Sequence, residues 1–407
     1  MKQFKFLVYA VAFSFFISCS DDDHDIEHEH EHEHHDEQEN MALLVSDVNS
    51  KTLNFIKPHD ESIQTYQAKY SKGSIYATES GRYGVITHRD NNFTETFNLG
   101  GEVAHGDHSH DLGETGLAAI SFESQKPTHF KSAQGYVVVY NDGDATLSLF
   151  NENSIHNNSS PVRTINTGSV AHHGAMAVYK NGTIAVTELG NGASLPESVK
   201  IINQSGEVLF PNQSIIITSG IHGNAAGDKV AIFGSNTGVL VVKDTGEQSL
   251  IHYPDSFEDD VWFGSLLSTH DSNLFIGYTA TKGVYYIDIE NSEITPVYET
   301  TDLFKCIVSS DGEYVVALTK SGYLNVTEIE SKSVAHQGQL SVALDTEATD
   351  HGSVTSNIDV SDEFLYVSVP SEQKIIQISL DELEVAHEFN LEITPYQFKV
   401  LGYSLDH

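Results

Sequence analysis

The sequence is poor in basic residues. Its 407 residues contain 21 lysines and arginines against 58 aspartates and glutamates, a formal net charge of −37 at pH 7. Without the eleven acids of residues 19–40 and the two lysines of the first five residues, 47 acids still face 19 bases, a net charge of −28. Such a surface repels nucleic acids and anionic lipid headgroups and attracts cations. The composition therefore excludes nucleic acid as a partner.

Cysteine is almost absent, since only Cys19 and Cys306 occur. Cys19 follows two lysines and the apolar run FLVYAVAFSFFI, which is too short to span a bilayer. The segment FISC resembles a bacterial lipobox, so residues 1–18 are predicted to be a lipoprotein signal peptide, with an ordinary signal peptide as the alternative. Lipidation of Cys19 would anchor the chain to a membrane. Cys306 would then have no partner for an intramolecular disulfide.

The residues around Cys19 also indicate where the protein is located. The acids in SDDD, directly after the cysteine, resemble the export signal of surface lipoproteins in some Gram-negative bacteria. We therefore expect a lipoprotein of the outer membrane of a Gram-negative bacterium, facing either the periplasm or the cell surface. The lipid anchor would be its contact with the membrane.

Residues 19–40 lack apolar side chains apart from Ile26, so this segment cannot form a core of its own. It alternates glutamate with histidine, and neutral imidazole with carboxylate is a ligand set for divalent metals. The segment is therefore predicted to be a disordered, metal-collecting arm; the alternative is a solvating spacer, for which Asp, Glu and Ser would suffice. Its six histidines are His24, His28, His30, His32, His34 and His35.

Helical periodicity is hard to find in residues 41–407, where strand-like runs recur instead. Each of these eight runs ends in a Gly, Asn or Asp turn: ALLVSD, SIYATES, YVVVYN, TIAVTE, KVAIFG, LFIGYT, YVVALT and FLYVSV. From the third run onward their starts are 47, 46, 45, 40 and 50 residues apart. A period of 40–50 residues with about four strands per unit is typical of a β-propeller.

The number of blades follows from the two ends of this region. The first unit starts at residue 42 and has no room for an innermost strand, whereas residues 395–405 form a strand-like run without a unit. We expect this C-terminal strand to complete the first blade and close a ring of eight blades, all-β in class. Seven blades are the alternative, as are two β-sandwiches, although the similarity between repeats favours the propeller.

Histidine recurs at one position of the repeat, where the innermost strand of each blade should begin. It occupies four of six aligned segments, THFKSA, HHGAMA, IHGNAA, WFGSLL, FKCIVS and DHGSVT, as His129, His173, His222 and His351. Equivalent ends of inner strands meet on one face of the ring, so several imidazoles should approach one another. Glycine follows three of these histidines and permits close approach of a backbone or ligand. The alternative is a structural role, since a buried histidine is commonly a hydrogen-bonded one.

A second histidine cluster lies in the segment GGEVAHGDHSHDLGETG, which makes the second repeat longer than the others. It contains His105, His108 and His110 together with Asp107 and Asp111. Histidine with carboxylate suits Zn²⁺. The segment is predicted to be a metal-binding loop that reaches the channel mouth.

The sequence resembles the AztD-type zinc metallochaperones, secreted β-propellers that deliver Zn²⁺ to the binding protein of a zinc ABC importer. The resemblance rests on HGDHSHD, PTHFKSAQGYVVVYNDGDATLSLF, AHHGAMAV, GIHGNAAGDKVAIFGSNTGVLVV and the acidic His-rich arm. It implies zinc ligands at His105, His108, His110, His173 and His222, with His129 and His351 as further candidates from the histidine column. Two positions where that family tends to have a cysteine pair are Thr218 and Ser235 here.

The predicted function is accordingly a zinc-binding metallochaperone or zinc-scavenging lipoprotein that is not an enzyme. Its partner would be the binding protein of a zinc importer or another zinc acceptor of the cell envelope. The ligand types also suit nickel or copper. Two other functions stay open at this point: a metal-dependent propeller hydrolase and a surface propeller that binds proteins.

Overall fold

The computed structural model describes residues 40–105, 108–157, 159–258, 260–347 and 354–403, with the side chains of residues 104, 105 and 108 left out. The predicted signal peptide, Cys19 and nearly all of the arm lie outside the described residues, as does His351. Within the described part of the chain, none of the helices has the length and apolar character needed to cross a membrane.

The fold is an eight-bladed β-propeller, as the repeat pattern predicts, and each blade is a four-stranded antiparallel sheet. From inner to outer strand, blade 1 contains β34 (Pro395–Leu401), β1 (Ala42–Asp47), β2 (Thr52–Lys57) and β3 (Ser62–Gln67). Blade 2 contains β4 (Ser74–Ala77), β5 (Tyr83–His88), β6 (Phe93–Asn98) and β9 (Gly116–Glu123). Blade 3 contains β10 (Pro127–Ala133), β11 (Tyr136–Asn141), β12 (Thr146–Asn151) and β13 (Arg163–Asn166). Blade 4 contains β14 (Met176–Val178), β15 (Ile184–Glu188), β16 (Ser198–Ile202) and β17 (Val208–Leu209).

The remaining four blades follow the same order along the chain. Blade 5 contains β18 (Asn224–Ala226), β19 (Val230–Ser235), β20 (Gly238–Lys243) and β21 (Gln248–Ile251), and blade 6 contains β22 (Ser265–Ser268), β23 (Leu274–Thr279), β24 (Gly283–Asp288) and β25 (Glu293–Glu299). Blade 7 contains β26 (Leu303–Val308), β27 (Tyr314–Thr319), β28 (Tyr323–Glu328) and β29 (Ser333–Gln339), and blade 8 contains β30 (Ile358–Val360), β31 (Phe364–Val369), β32 (Lys374–Ser379) and β33 (Val385–Asn390). A separate hairpin of β7 (Glu102–His105) and β8 (His108–Asp111) joins β6 to β9, and short 3-10 helices span Arg89–Asn91, Glu152–Ser154 and Pro370–Glu372.

The C-terminal strand closes the ring, as predicted from the two ends of the repeat region. β34 pairs antiparallel with β1, so that Leu43 lies opposite Val400 and Val45 opposite Phe398. These side chains are buried against Ile375 of blade 8 in one apolar cluster. Burial between neighbouring blades is what stabilises the fold, because each sheet presents apolar side chains that it cannot bury alone.

The inner strands are also joined by polar side chains across blade boundaries. The Tyr76 hydroxyl of blade 2 donates to the Thr128 carbonyl of blade 3 at 3.0 Å, and Lys399 of blade 1 pairs with Asp359 of blade 8 at 2.9 Å. Such bonds fix the relative position of neighbouring inner strands. The ring thereby places equivalent residues of successive blades at a defined spacing.

Candidate metal centre

Three histidines of successive blades converge on one face of the ring, which we term the histidine face. His129 lies on β10 of blade 3, while His173 and His222 precede β14 of blade 4 and β18 of blade 5. The Nε2 atom of His173 lies 3.2 Å from Nε2 of His129 and 3.3 Å from Nε2 of His222. His173 is therefore the middle member of the cluster. The centroids of the two outer rings are 6.2 Å apart.

Local backbone features aim these imidazoles. The pairing of β10 with β11 shifts register between Pro127 and His129, and a bulge of this kind redirects the side chains that follow it. Gly223, directly after His222, approaches blade 6 so closely that a Cβ atom there would lie 2.6 Å from the Gly264 carbonyl oxygen. A side chain at Gly174 would overlap the Tyr140 ring. The close backbone approach expected at these glycines is present at Gly223, whereas the space beside Gly174 is filled by the Tyr140 side chain.

Asp142 fixes the protonation of His173. It follows β11, and its Oδ2 atom accepts a hydrogen bond from Nδ1 of His173 at 2.8 Å. Because an ionised carboxylate can only accept, the proton of the neutral His173 ring is on Nδ1. Its Nε2 atom then presents a lone pair to the centre of the cluster, the arrangement in which a carboxylate orients a metal-binding histidine.

A carbonyl group fixes the protonation of His222 in the same way. Nδ1 of His222 donates to the Gly264 carbonyl at 2.9 Å, so its Nε2 atom also presents a lone pair. The Trp262 ring stands edge-on to the His222 ring, with centroids 6.4 Å apart. In their neutral forms, His173 and His222 therefore direct two acceptor atoms at each other across 3.3 Å. Two lone pairs at this distance repel each other unless a proton or a metal ion lies between or beside them.

The charge of Asp142 is sustained by its neighbours. Burial by itself raises the pKa of this carboxyl, but the hydrogen bond and charge of His173, with bonds from Thr128 and Arg89, outweigh burial and lower it. Nη2 of Arg89, from the turn between β5 and β6, lies 3.2 Å from Oδ2. The other oxygen, Oδ1, is buried and has no hydrogen-bond partner among the described residues. Asp142 is thus ionised, and its Oδ1 atom could accept a further hydrogen bond.

Exposure increases along the three histidines. His129 is the deepest, and burial, followed by the proximity of His173, lowers its pKa to about 3. His173 is half-buried, with a side chain 37% exposed, and His222 is exposed. Lys131 lies two residues beyond His129 on β10, and burial lowers its pKa to about 8. Its positive charge is a further factor that lowers the pKa of His129.

The candidate ligand atoms lie close enough together to share one metal ion. His129, Asp142 and His173 each offer one ligand atom, and these atoms all lie within 4.8 Å of one another. His222 approaches this group through Nε2 of His173. Two nitrogens bound to tetrahedral zinc at about 2.0–2.1 Å are about 3.3 Å apart. The observed separations of 3.2 and 3.3 Å match that value.

The predicted metal-binding loop is attached to the ring at a distance from this cluster. The β7–β8 hairpin, with His105, His108 and His110, connects the third and fourth strands of blade 2. The first and third strands of an antiparallel sheet run in the same direction, so the end of β6 lies on the face opposite to the starts of the inner strands. Arg82, in the turn between β4 and β5, secures the hairpin base by donating to the Leu112 carbonyl at 2.8 Å. The base of the hairpin is therefore on the opposite face, away from His129, His173 and His222.

Several members of the site were not predicted from the sequence. Asp142 belongs to the turn NDGD after β11, which has the composition of an ordinary turn. The Gly264 carbonyl and Trp262 come from the segment WFGSLL, where phenylalanine replaces histidine in the column. The signal that could have indicated them is positional: the turn after a second strand lies next to the inner strand of the following blade.

Fold and site together define an eight-bladed β-propeller with a carboxylate-oriented cluster of imidazoles at the start of three inner strands. No model of a known protein family matches the sequence. The chain is similar to the zinc chaperone AztD of Citrobacter koseri, with 20% identity over 308 residues that cover 73% of this chain and 71% of that protein. The resemblance to AztD-type proteins predicted from the sequence is thus confirmed.

Solved structures show the same fold. The crystal structure of Citrobacter koseri AztD matches with a TM-score of 0.77 and 18% identity, covering 89% of this chain and 97% of that chain. The dihydro-heme d1 dehydrogenase NirN matches less well, with a TM-score of 0.59 and 12% identity over 90% of this chain and 75% of its own. These likenesses confirm the eight-bladed propeller.

Proposed function

We propose that the protein is a zinc metallochaperone or zinc-scavenging protein that holds Zn²⁺ at the cluster of His129, His173 and His222. The observation that supports this best is the pair of facing lone pairs on His173 and His222. Their Nδ1 protons are committed to Asp142 and to the Gly264 carbonyl. A purely structural histidine cluster would instead satisfy its inner nitrogens with donors.

Zinc is the cargo that the ligand set and the similarity favour together. Imidazole nitrogens with a nearby carboxylate suit Zn²⁺, and the relative with 20% identity is a zinc chaperone. Nickel and copper bind imidazole as well, and copper is expected to bind more tightly in vitro. Whether the protein carries zinc in the cell would therefore depend on the availability of each metal as well as on its affinity.

The difference in exposure among the three histidines defines a route by which zinc would enter and leave the cluster. His129 is half-buried and strongly desolvated, whereas His222 is exposed on the histidine face. An acceptor that approaches this face would meet His222 first and could replace it as a ligand while the deeper histidines still hold the metal. The acceptor would be the binding protein of a zinc importer or another zinc-binding protein of the cell envelope.

The N-terminal segments complete the proposal on sequence grounds. Residues 1–18 would be a lipoprotein signal peptide, Cys19 the lipidated residue, and residues 19–40 a metal-collecting arm in front of the propeller at 41–407. The protein would then be anchored to the outer membrane of a Gram-negative bacterium. Alternating glutamate and histidine gives weak, interchangeable sites, which exchange metal quickly and lose it when histidine is protonated.

The other predicted ligands would form separate sites. His105, His108 and His110 are proposed as metal ligands of the hairpin, and its base on the opposite face would make that site independent of the cluster. His351 stays a candidate ligand on sequence grounds alone. Similarity to a chaperone favours a carrier that is not an enzyme over the metal-dependent hydrolase and over the protein-binding propeller.

Zinc titration of the full chain by calorimetry, at neutral pH, tests the proposal. We expect one tight site that is lost in His173→Ala/His222→Ala, together with weaker sites, of which those of the arm are lost when residues 20–40 are deleted and those of the hairpin remain. The matched control is His252→Ala/His270→Ala, two exposed histidines outside the cluster. A tight site that survives the first double substitution, or no tight site at all, would contradict the proposal.

A further inference from the structure

A positively charged side chain lies directly below the histidine cluster. Lys131 is two residues beyond His129 on β10, and side chains two apart on a strand project to the same side. Its Nζ atom donates to the Asn224 carbonyl at 3.0 Å. Asn224 is itself two residues beyond His222. The bond thus links the strands of the two outer histidines across the intervening blade.

The middle blade belongs to the same connection. Nδ2 of Asn224 donates to the Met176 carbonyl of β14 at 2.6 Å, in a buried position three residues beyond His173. The three blades that provide histidines are therefore tied together one layer below the site. Lys131 is the charged residue in this set of hydrogen bonds.

In the part of the chain that the structure describes, no carboxylate neutralises the charge of Lys131. Among the described residues it forms no ion pair, whereas Lys399 on the inner strand of blade 1 pairs with Asp359 at 2.9 Å. The partner of Lys131 is a neutral carbonyl group. The ammonium group would therefore repel a divalent cation bound by the imidazoles, and would repel it more strongly than a monovalent ion.

We propose that Lys131 sets the strength of metal binding at the histidine cluster, by opposing the bound cation with its positive charge. This inference rests on the proposed zinc-carrier function. A carrier has to release what it binds, and a nearby ammonium group weakens binding without removing a ligand. Lys131 is in this sense a positioning and affinity-determining residue that does not itself touch the metal.

The test compares charge with hydrogen bonding at residue 131. Lys131→Gln removes the charge but keeps a donor for the Asn224 carbonyl, Lys131→Met removes both, and Lys131→Arg keeps the charge. Lys305→Gln is the matched control: Lys305 lies on the inner strand of blade 7, is part-buried and bonds to an uncharged group, Oδ1 of Asn357, at 3.1 Å. Zinc affinity is measured on the full chain at one neutral pH by competition with a chromophoric chelator, and release by the rate of transfer to that chelator.

We expect Lys131→Gln and Lys131→Met to bind zinc several-fold, up to about tenfold, more tightly than the wild type and to release it correspondingly more slowly. Lys131→Arg and Lys305→Gln should stay within about twofold of the wild type. Affinity that is unchanged or weaker in a folded neutral variant would overturn the inference while leaving the carrier function intact. A wild-type chain without a tight site sensitive to His173→Ala would overturn both. Two neutral variants are used so that a folding defect in one does not decide the result.

Discussion

Asp142→Asn is the substitution that best separates the orientation of a ligand from the ligand itself. The carboxylate is buried and accepts the Nδ1 proton of His173 at 2.8 Å. An amide of the same shape loses the negative charge and can present either an acceptor or a donor to that ring. Loss of an outer partner of a metal-binding histidine typically weakens metal binding by about 10–100-fold. This corresponds to about 1.4–2.7 kcal/mol of binding free energy.

The assay is the same chelator competition, performed beside a thermal unfolding measurement. Asp228→Asn is the matched control, because Asp228 forms a 2.8 Å ion pair with Lys180 outside the cluster and both side chains are exposed. Exposed pairs of this kind contribute little to stability, and we expect no change in zinc affinity. Unchanged affinity in folded Asp142→Asn would refute the orienting role. Complete loss of binding would show instead that Asp142 is a ligand.

Three further predictions concern the cluster and the closure of the ring. The pKa of His129 is about 3 in the folded state against 6.5 for a free histidine, so the unfolded chain takes up a proton that the folded chain does not. The free energy of unfolding of the metal-free protein should therefore fall as pH drops from about 6.5 towards about 3. His129→Gln should make this slope shallower by up to about 1.4 kcal/mol per pH unit in urea titrations with a chelator present; equal slopes would contradict the assignment. Gly223→Ala would force a Cβ atom to 2.6 Å from the Gly264 carbonyl that holds His222, so zinc should bind at least about tenfold less tightly and stability should fall by about 1–3 kcal/mol. Phe398→Ala empties a buried position on the closing strand and should lower the free energy of unfolding by about 3–5 kcal/mol in denaturant titrations. The exposed Val334→Ala should change it by less than about 0.5 kcal/mol, and equal effects would argue against closure by β34.

The architecture could be predicted from the sequence because each blade repeats the same pattern of strand, turn and strand. The missing inner strand at residue 42 and the unassigned strand near Phe398 together indicated closure, and the pairing of β34 with β1 confirms it. The histidine column was informative for the same reason. His129, His173 and His222 occupy one position in three successive blades, and successive blades are the ones that the ring brings together.

The parts that were not predicted depend on which strands become neighbours. Asp142 reaches His173 from the preceding blade, a contact between residues 31 positions apart that turn composition does not reveal. The side of the ring from which an insertion emerges depends on strand order. The hairpin of His105 and His108 begins after a third strand and so starts on the face opposite to the cluster. Composition identifies His105 and His108 as candidate ligands but does not show from which face of the ring their hairpin starts.

Whether the cluster holds zinc can be decided by a crystal structure of the zinc-loaded protein with anomalous diffraction data collected at the zinc absorption edge. We expect an anomalous peak on the histidine face, about 2.0–2.1 Å from Nε2 of at least two of the three histidines. The Nδ1 bonds to Asp142 and Gly264 should be preserved. A zinc-loaded crystal with no peak at the cluster, and zinc only elsewhere on the chain, would contradict this expectation.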